Sequence, residues 1–77
     1  MVKEMVESIA KLIVDKPNEV KVNLLEGTQT NVIELRVAKE DLGKVIGREG
    51  RNAKAIRTLL NAIGNKINKR IHLEIIE

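Results

Sequence analysis

The residues of this chain that could do chemistry are concentrated in one short run, Gly47-Arg48-Glu49-Gly50. Because glycine has no Cβ atom, a phosphate can approach the main chain at Gly47 and Gly50 more closely than at other residues. Arg48 lies between the two glycines and Arg51 follows them, so positive charge is added at the same place. The run therefore predicts a bend that suits an anionic backbone.

Apolar residues at helical spacing flank this bend on both sides. Leu42, Val45 and Ile46 lie at i, i+3 and i+4 before it, and a longer stripe follows over residues 53–67. The pattern predicts a helix, a sharp corner and a second helix over about residues 51–65. The first amides of a helix lack intrahelical partners and its dipole is positive at that end, so donors and arginines are expected to converge at the corner.

The rest of the chain predicts one more helix and three strands. Apolar residues recur every three or four positions over residues 2–15, which indicates an amphipathic helix that Pro17 ends. Alternating apolar and polar residues predict strands at residues 20–24, 33–37 and 71–75. Glu40 and Asp41 are interpreted as a helix start, where the dipole favours negative charge. The predicted order is helix, strand, strand, helix, helix, strand.

The run Val45-Ile46-Gly47-Arg48-Glu49-Gly50, with Ala53 and Ile56 at the next three-residue steps, resembles the Ile-Gly-x-x-Gly core of KH domains. KH domains bind single-stranded RNA and clamp about four nucleotides. Over essentially its whole length the chain is similar to the small stand-alone bacterial KH proteins of the KhpA family. The resemblance implies a single KH domain over residues 1–77. It also implies an α+β type II KH fold of order α-β-β-α-α-β, with three helices on one face of a three-stranded mixed sheet.

The RNA-binding residues that we predict are the loop and its basic neighbours: Lys44, Gly47, Arg48, Glu49, Gly50, Arg51 and Lys54. Ile46 and Ile56 are expected to support the loop from inside. Bases are expected to lie over an aliphatic groove between the helix pair and the adjacent sheet edge, lined by parts of Arg36 and Val37. Glu49 departs from the pattern, because an acid stands where a phosphate should lie, and Ala53 is smaller than the residue usual at its step.

Composition and charge narrow the class of function. The chain has no aromatic residue, which argues against RNA binding by stacking on Phe, Tyr or Trp, as in RRM and OB-fold proteins. Residues 36–70 carry ten basic and three acidic side chains, whereas the rest of the chain has an excess of acids. Solvated helix faces explain a high charge content but not this segregation, so the charge favours an anionic partner near the helix pair.

Catalytic, cofactor and membrane functions find no support in the sequence. The chain has no cysteine and one histidine, His72, which is interpreted as a polar residue on the open side of the last strand. The only serine, Ser8, has no plausible base beside it, and the glycines fit neither a dinucleotide fingerprint nor a P-loop. We expect no enzyme activity, no cofactor and no metal. Without a membrane-spanning run or a signal-peptide core, the protein is expected to be cytoplasmic.

A second hypothesis concerns protein partners. A 77-residue chain without disulfides has a small core, and Leu25 and Ile76 are apolar residues out of step with their strands. An interaction module, forming a homodimer or a heterodimer with a larger KH-containing RNA-binding protein, is therefore the alternative. The resemblance also implies an RNA-chaperone or post-transcriptional role connected with cell-envelope growth and cell shape.

Overall fold

The computed structural model describes all residues, 1–77. The chain forms six main elements: α1 (Val2–Ile13), β1 (Lys21–Glu26), β2 (Thr30–Arg36), α2 (Leu42–Ile46), α3 (Arg51–Ile67) and β3 (Arg70–Ile76). Short 3₁₀ turns occupy Pro17–Glu19, Lys39–Asp41 and Arg48–Gly50. The predicted order is confirmed, and α1 ends before Asp15, as Pro17 requires.

The three strands form one mixed sheet in the order β1-β2-β3. β1 pairs with β2 antiparallel, and β2 pairs with β3 parallel. One face of the sheet is buried through the alternate residues Val22, Ile33, Leu35, Ile71 and Leu73. The residues between them, including His72, point to the open face, as the alternation predicts.

All three helices lie on the buried side of the sheet. α1 packs against β1 and β2, α3 packs against β3, and the short α2 contacts α1 and α3. Val6, Ala10, Val45 and Leu60 contribute fully buried side chains to the core, which is entirely aliphatic. This arrangement is the predicted type II KH fold. None of the helices combines the length and apolar composition that crossing a membrane requires.

The apolar stripes are wider than the surface that the sheet covers. Leu12 is 88% exposed, although its spacing places it in the apolar pattern of α1. Leu59 and Ile67 of α3 are 48% and 47% exposed. The apolar spacing therefore does not place every residue of a stripe in the core, because a helix on one sheet face buries only part of its apolar arc.

Asp41 has a role that the interpretation as a helix start missed. Its side chain is 1% exposed and forms no cap hydrogen bond with its own helix. Instead, Oδ1 accepts the amide of Asp15 at 3.2 Å and Oδ2 accepts the amide of Lys16 at 3.0 Å. Asp41 therefore ties the chain after α1 to the start of α2.

Candidate nucleic-acid interface

The corner between α2 and α3 is built from left-handed backbone. Gly47 has φ 78° and ψ 170°, Glu49 has φ 58° and ψ 25°, and Gly50 has φ 75° and ψ 14°. Only one of the four loop residues, Arg48, has an ordinary negative φ. Positive φ values reverse the chain within the loop, so α3 begins directly after Gly50.

The two glycines meet different constraints. A Cβ atom on Gly47 would lie 2.7 Å from Cγ and 2.8 Å from the backbone nitrogen of Asn52. A Cβ atom on Gly50 would meet nothing closer than Cε of Lys54, at 3.8 Å. Gly47 is therefore required both for its conformation and for close packing, whereas Gly50 is required for its conformation alone.

Asn52 fastens the corner. Its Nδ2 donates a hydrogen bond to the carbonyl oxygen of Lys44 at 2.8 Å, which joins the first turn of α3 to the end of α2. We did not predict this residue, because an asparagine near a helix start is usually a solvated surface residue. Only the folded chain places it against Gly47.

The expectation that backbone donors converge at the corner implied that the amides of the two glycines are free. Both amides are instead engaged within the fold. The Gly47 amide donates to the carbonyl of Gly43 at 2.9 Å, and the Gly50 amide donates to the carbonyl of Gly47 at 3.0 Å. The amide of Arg51 also has a partner, the carbonyl of Arg48. The part of the loop left to contact a ligand is the exposed bend at Arg48 and Glu49.

The structure brings the predicted basic residues together around this bend. Arg48, Arg51 and Lys54 are exposed on the loop and the first turn of α3. Lys44 lies on α2, and its Nζ is 3.2 Å from Oδ2 of Asp15, so its charge is already partly balanced. Glu49 is exposed, so its acid faces solvent instead of being held within the fold.

A family model for the KH domain of KhpA and KhpB matches residues 3–75. The chain belongs to this family. The KhpA/KhpB family therefore accounts for nearly the whole length, and the predicted resemblance is confirmed.

Curated KhpA proteins align over almost the full chain. The RNA-binding protein KhpA of Borreliella burgdorferi is 53% identical over 74 residues, covering 96% of this chain and 90% of the relative. The RNA-binding protein KhpA of Aquifex aeolicus is 56% identical over 75 residues, covering 97% and 95%. The similarity thus spans the whole domain in both proteins.

Two solved structures of Era share the fold. One is Aquifex aeolicus Era bound to GDP and aluminium fluoride, with a TM-score of 0.61. The other is Era in complex with MgGDPNP and a segment of 16S ribosomal RNA, with a TM-score of 0.62. Each is 21% identical to this chain and is aligned over 97% of it, but over only 29% of the Era chain. They show that the KhpA/KhpB fold here is also present as part of a longer protein.

The two residues expected to support the loop lie in different environments in this member of the KhpA/KhpB family. Ile56 is 3% exposed and belongs to the core beneath the helix pair. Ile46 is 41% exposed, so the prediction that it backs the loop from inside is wrong. Val45, which is fully buried, faces the core instead, because α2 is only five residues long and turns one narrow face inward.

The prediction that Arg36 and Val37 line the groove between the helix pair and the sheet edge is wrong. β2 is the central strand, Val37 is 3% exposed, and Nη1 of Arg36 donates to the backbone oxygen of Glu77 at 2.6 Å. The strand next to α3 is β3, which is an edge of the sheet. Arg57 bridges α3 and β3, since its Nη2 donates to the carbonyl of Leu73 at 3.3 Å.

Proposed function

We propose that this chain binds single-stranded RNA by holding the sugar-phosphate backbone at the corner between α2 and α3. The observation that carries the proposal is the exposed left-handed bend at the start of α3, with Arg48, Arg51 and Lys54 around it. The names of the KhpA relatives, which are called RNA-binding proteins, support the same conclusion.

The proposed contact uses the main chain of the bend. Because Gly47 has ψ 170°, the α2 hydrogen-bond pattern stops there, and the amides of Arg48 and Glu49 follow the break. We assign the phosphate to these amides and to the positive end of the α3 dipole. The guanidinium groups of Arg48 and Arg51 add charge, with Lys54 and Lys44 at the flanks.

The loop grips the backbone and reads no sequence, since phosphate contacts carry no base information. A clamp of this kind suits an RNA chaperone or post-transcriptional regulator in the cytoplasm, which must hold many unpaired strands without selecting one. Binding and not catalysis is the proposed role. The expected binding falls steeply with salt, because phosphate neutralisation releases counterions.

Gly50→Asp is the sharpest test of the proposal. It places a carboxylate at the bend where the nearest atom to the new Cβ is 3.8 Å away, so the fold has room for it. We expect RNA affinity to fall by at least about tenfold, which corresponds to about 1.4 kcal/mol. The Gly47→Asp, Gly50→Asp double variant is expected to abolish binding, but the close contact of Gly47 with Asn52 makes its folding a necessary check.

Gly43→Asp is the matched control. Gly43 lies on α2, and a Cβ atom there would meet nothing within 4 Å, so the same change in net charge is made outside the loop. Affinity would be measured by fluorescence anisotropy with a labelled random-sequence oligoribonucleotide, and folding by circular dichroism. A folded Gly50→Asp variant that binds RNA as well as the control would reject the proposal.

A second candidate function is self-association or docking of a larger KH-containing RNA-binding protein. It is favoured by an apolar groove of about 570 Å³ between α1 and α3, lined by Met1, Val2, Met5, Ile63, Lys66 and Ile67. Leu25, 53% exposed on the open sheet face, marks the other surface available to a partner. Sedimentation of the Ile67→Lys and Leu25→Lys variants would show which of these two surfaces self-association requires. A wild-type chain that is strictly monomeric and binds RNA without any partner would reject this candidate.

A further inference from the structure

We propose that a polar pocket at the far end of α3 is a second nucleotide subsite for the strand held at the loop. The inference rests on the proposed function and deepens it, because it extends the RNA contact from the loop to the other end of the helix. The ligand is a nucleotide of the same single strand, recognised through the edge of its base.

The pocket lies where α3 turns into β3. It has a volume of about 360 Å³, and three of its seven lining residues are asparagines, Asn61, Asn65 and Asn68. Its only apolar lining residue is Ile71. Polar surface exceeds apolar surface in this lining, so the pocket suits a polar planar group that hydrogen-bonds through its edge and packs through its face.

The chemistry of the lining favours a base over a bare phosphate. Each asparagine amide carries a donor NH₂ and an acceptor oxygen, which match the mixed donors and acceptors of a base edge. Asn31 and Asn52 use their side chains in hydrogen bonds within the fold, whereas the amides of Asn61, Asn65 and Asn68 form none. They are therefore available to a ligand without breaking a contact.

The cations near the pocket are few. Nζ of Lys69 already has a partner within the fold, donating to the carbonyl of Gly27 at 3.2 Å. Arg70 is the remaining basic residue, exposed at the first position of β3. One guanidinium beside three amides can hold one phosphate of the strand while the amides contact its base.

A glycine makes the pocket possible. A Cβ atom on Gly64 would lie 2.4 Å from the carbonyl oxygen of Lys69 and 3.6 Å from the side chain of Ile71. Gly64 therefore lets the end of α3 come into direct contact with the turn that starts β3. Gly64 itself lines the pocket, together with the asparagines at the end of α3.

One face of α3 connects the pocket to the loop. Gly50, Lys54, Arg57, Asn61 and Asn65 are spaced by three or four residues, so they lie in a single row along the helix. At the midpoint of this row, Arg57 reaches the edge strand at the carbonyl of Leu73. From Gly50 to Asn68 the helix rises about 27 Å. A strand that leaves the loop along this row arrives at the pocket.

The experiment compares binding of two random-sequence pools, a tetraribonucleotide and a decaribonucleotide, to wild type and to Asn61→Ala, Asn65→Ala. Alanine is favourable in a helix, so folding is not at risk. Asn68 is left unchanged because it ends α3 at φ 58°. The matched control is the double variant Asn18→Ala, Asn23→Ala, which changes two exposed asparagines outside the pocket and outside the row along α3.

We expect the decamer to bind wild type and the control more tightly than the tetramer does. The gain should exceed the statistical factor that comes from the larger number of positions at which a decamer can bind the loop. The pocket variant should lose about fivefold or more of decamer affinity and keep its affinity for the tetramer. Three results would overturn the subsite. They are an unchanged decamer affinity of the pocket variant, an equal loss of its affinity for both lengths, or a wild type that gains no affinity from the longer strand. Failure of the proposed function is distinct, because it appears as undiminished tetramer binding by Gly50→Asp.

Discussion

Substitution of the three glycines around the corner by alanine should change stability in different directions. Gly43→Ala lies within α2 and meets nothing within 4 Å. Gly50→Ala must adopt φ 75° and ψ 14°, with space for its Cβ. Gly47→Ala must adopt φ 78° and ψ 170°, and its Cβ would overlap Asn52. The same chemical change therefore meets three different environments within eight residues.

The expected magnitudes follow from these geometries. Gly43→Ala should stabilise the fold by about 0.5–1 kcal/mol, because alanine is the better helix former. Gly50→Ala should cost about 1 kcal/mol, since the left-handed cost of about 1–2 kcal/mol is partly offset by a less flexible unfolded chain. Gly47→Ala adds a nearly glycine-only conformation and overpacking, each about 1–3 kcal/mol, so its net cost is about 3–4 kcal/mol.

Thermal unfolding followed by far-ultraviolet circular dichroism measures these differences, since the chain has no tryptophan or tyrosine to serve as a fluorescent probe. A domain of this size loses about 4–8 °C of Tm per kcal/mol, so Gly47→Ala should melt about 10 °C or more below Gly50→Ala. In an Asn52→Ala background, Gly47→Ala should cost about 1 kcal/mol less, because Cγ and Nδ2 are gone while the backbone nitrogen remains. Equal Tm values for Gly47→Ala and Gly50→Ala would refute the reasoning.

Three further predictions concern Asp41, Arg48 and the surface pair Lys16 and Glu40. Asp41→Ala leaves two amides without their acceptor and should cost about 3 kcal/mol in urea unfolding. Glu40→Ala, at an exposed position, should leave the urea midpoint nearly unchanged, and equal shifts for the two variants would contradict the role assigned to Asp41. Arg48→Ala should weaken binding to all RNA sequences alike and lower the slope of log affinity against log salt by about one, and a changed sequence preference would show that Arg48 reads bases. A hydrogen bond from its own backbone, followed by the hydrogen bond and charge of the Lys16 ammonium, lowers the pKa of Glu40, and the hydrogen bond and charge of Glu40 raise the pKa of Lys16. The small stabilisation by this pair should therefore be present at neutral pH. It should be lost as pH falls through the folded pKa of Glu40, below its ordinary 4.5, and as pH rises through the folded pKa of Lys16, above its ordinary 10.5. Carbon-detected NMR titration of both side chains would check the two directions, and ordinary pKa values would contradict them.

The elements that sequence periodicity predicts are the ones that burial imposes locally. Strand residues such as Ile33 and Leu35 alternate with polar neighbours because only one face of the sheet is covered. Pro17 marks the end of α1 because proline restricts the residue before it. These relations operate within a few residues, so they can be read along the chain.

Residues whose role depends on distant contacts were missed or misassigned. Asp41 contacts amides 25 and 26 residues earlier in the chain, and Arg57 contacts a carbonyl 16 residues later. Ile46 and Val45 have the same apolar character, but only the packing of α2 decides that Val45 is buried and Ile46 exposed. Hydrophobicity does not record which side of a five-residue helix meets the core.

For this protein, the sequence alone determined the order of the elements, the aliphatic core and the basic loop bracketed by Gly47 and Gly50, because each depends on residue type and short spacing. The tertiary structure decided that β3 and not β2 borders α3, that the amides of both glycines are engaged within the fold, and that Asn52 packs against Gly47. Those features arise when segments far apart in the chain compete for the same space and the same hydrogen-bond partners, and that competition is resolved only in the folded chain.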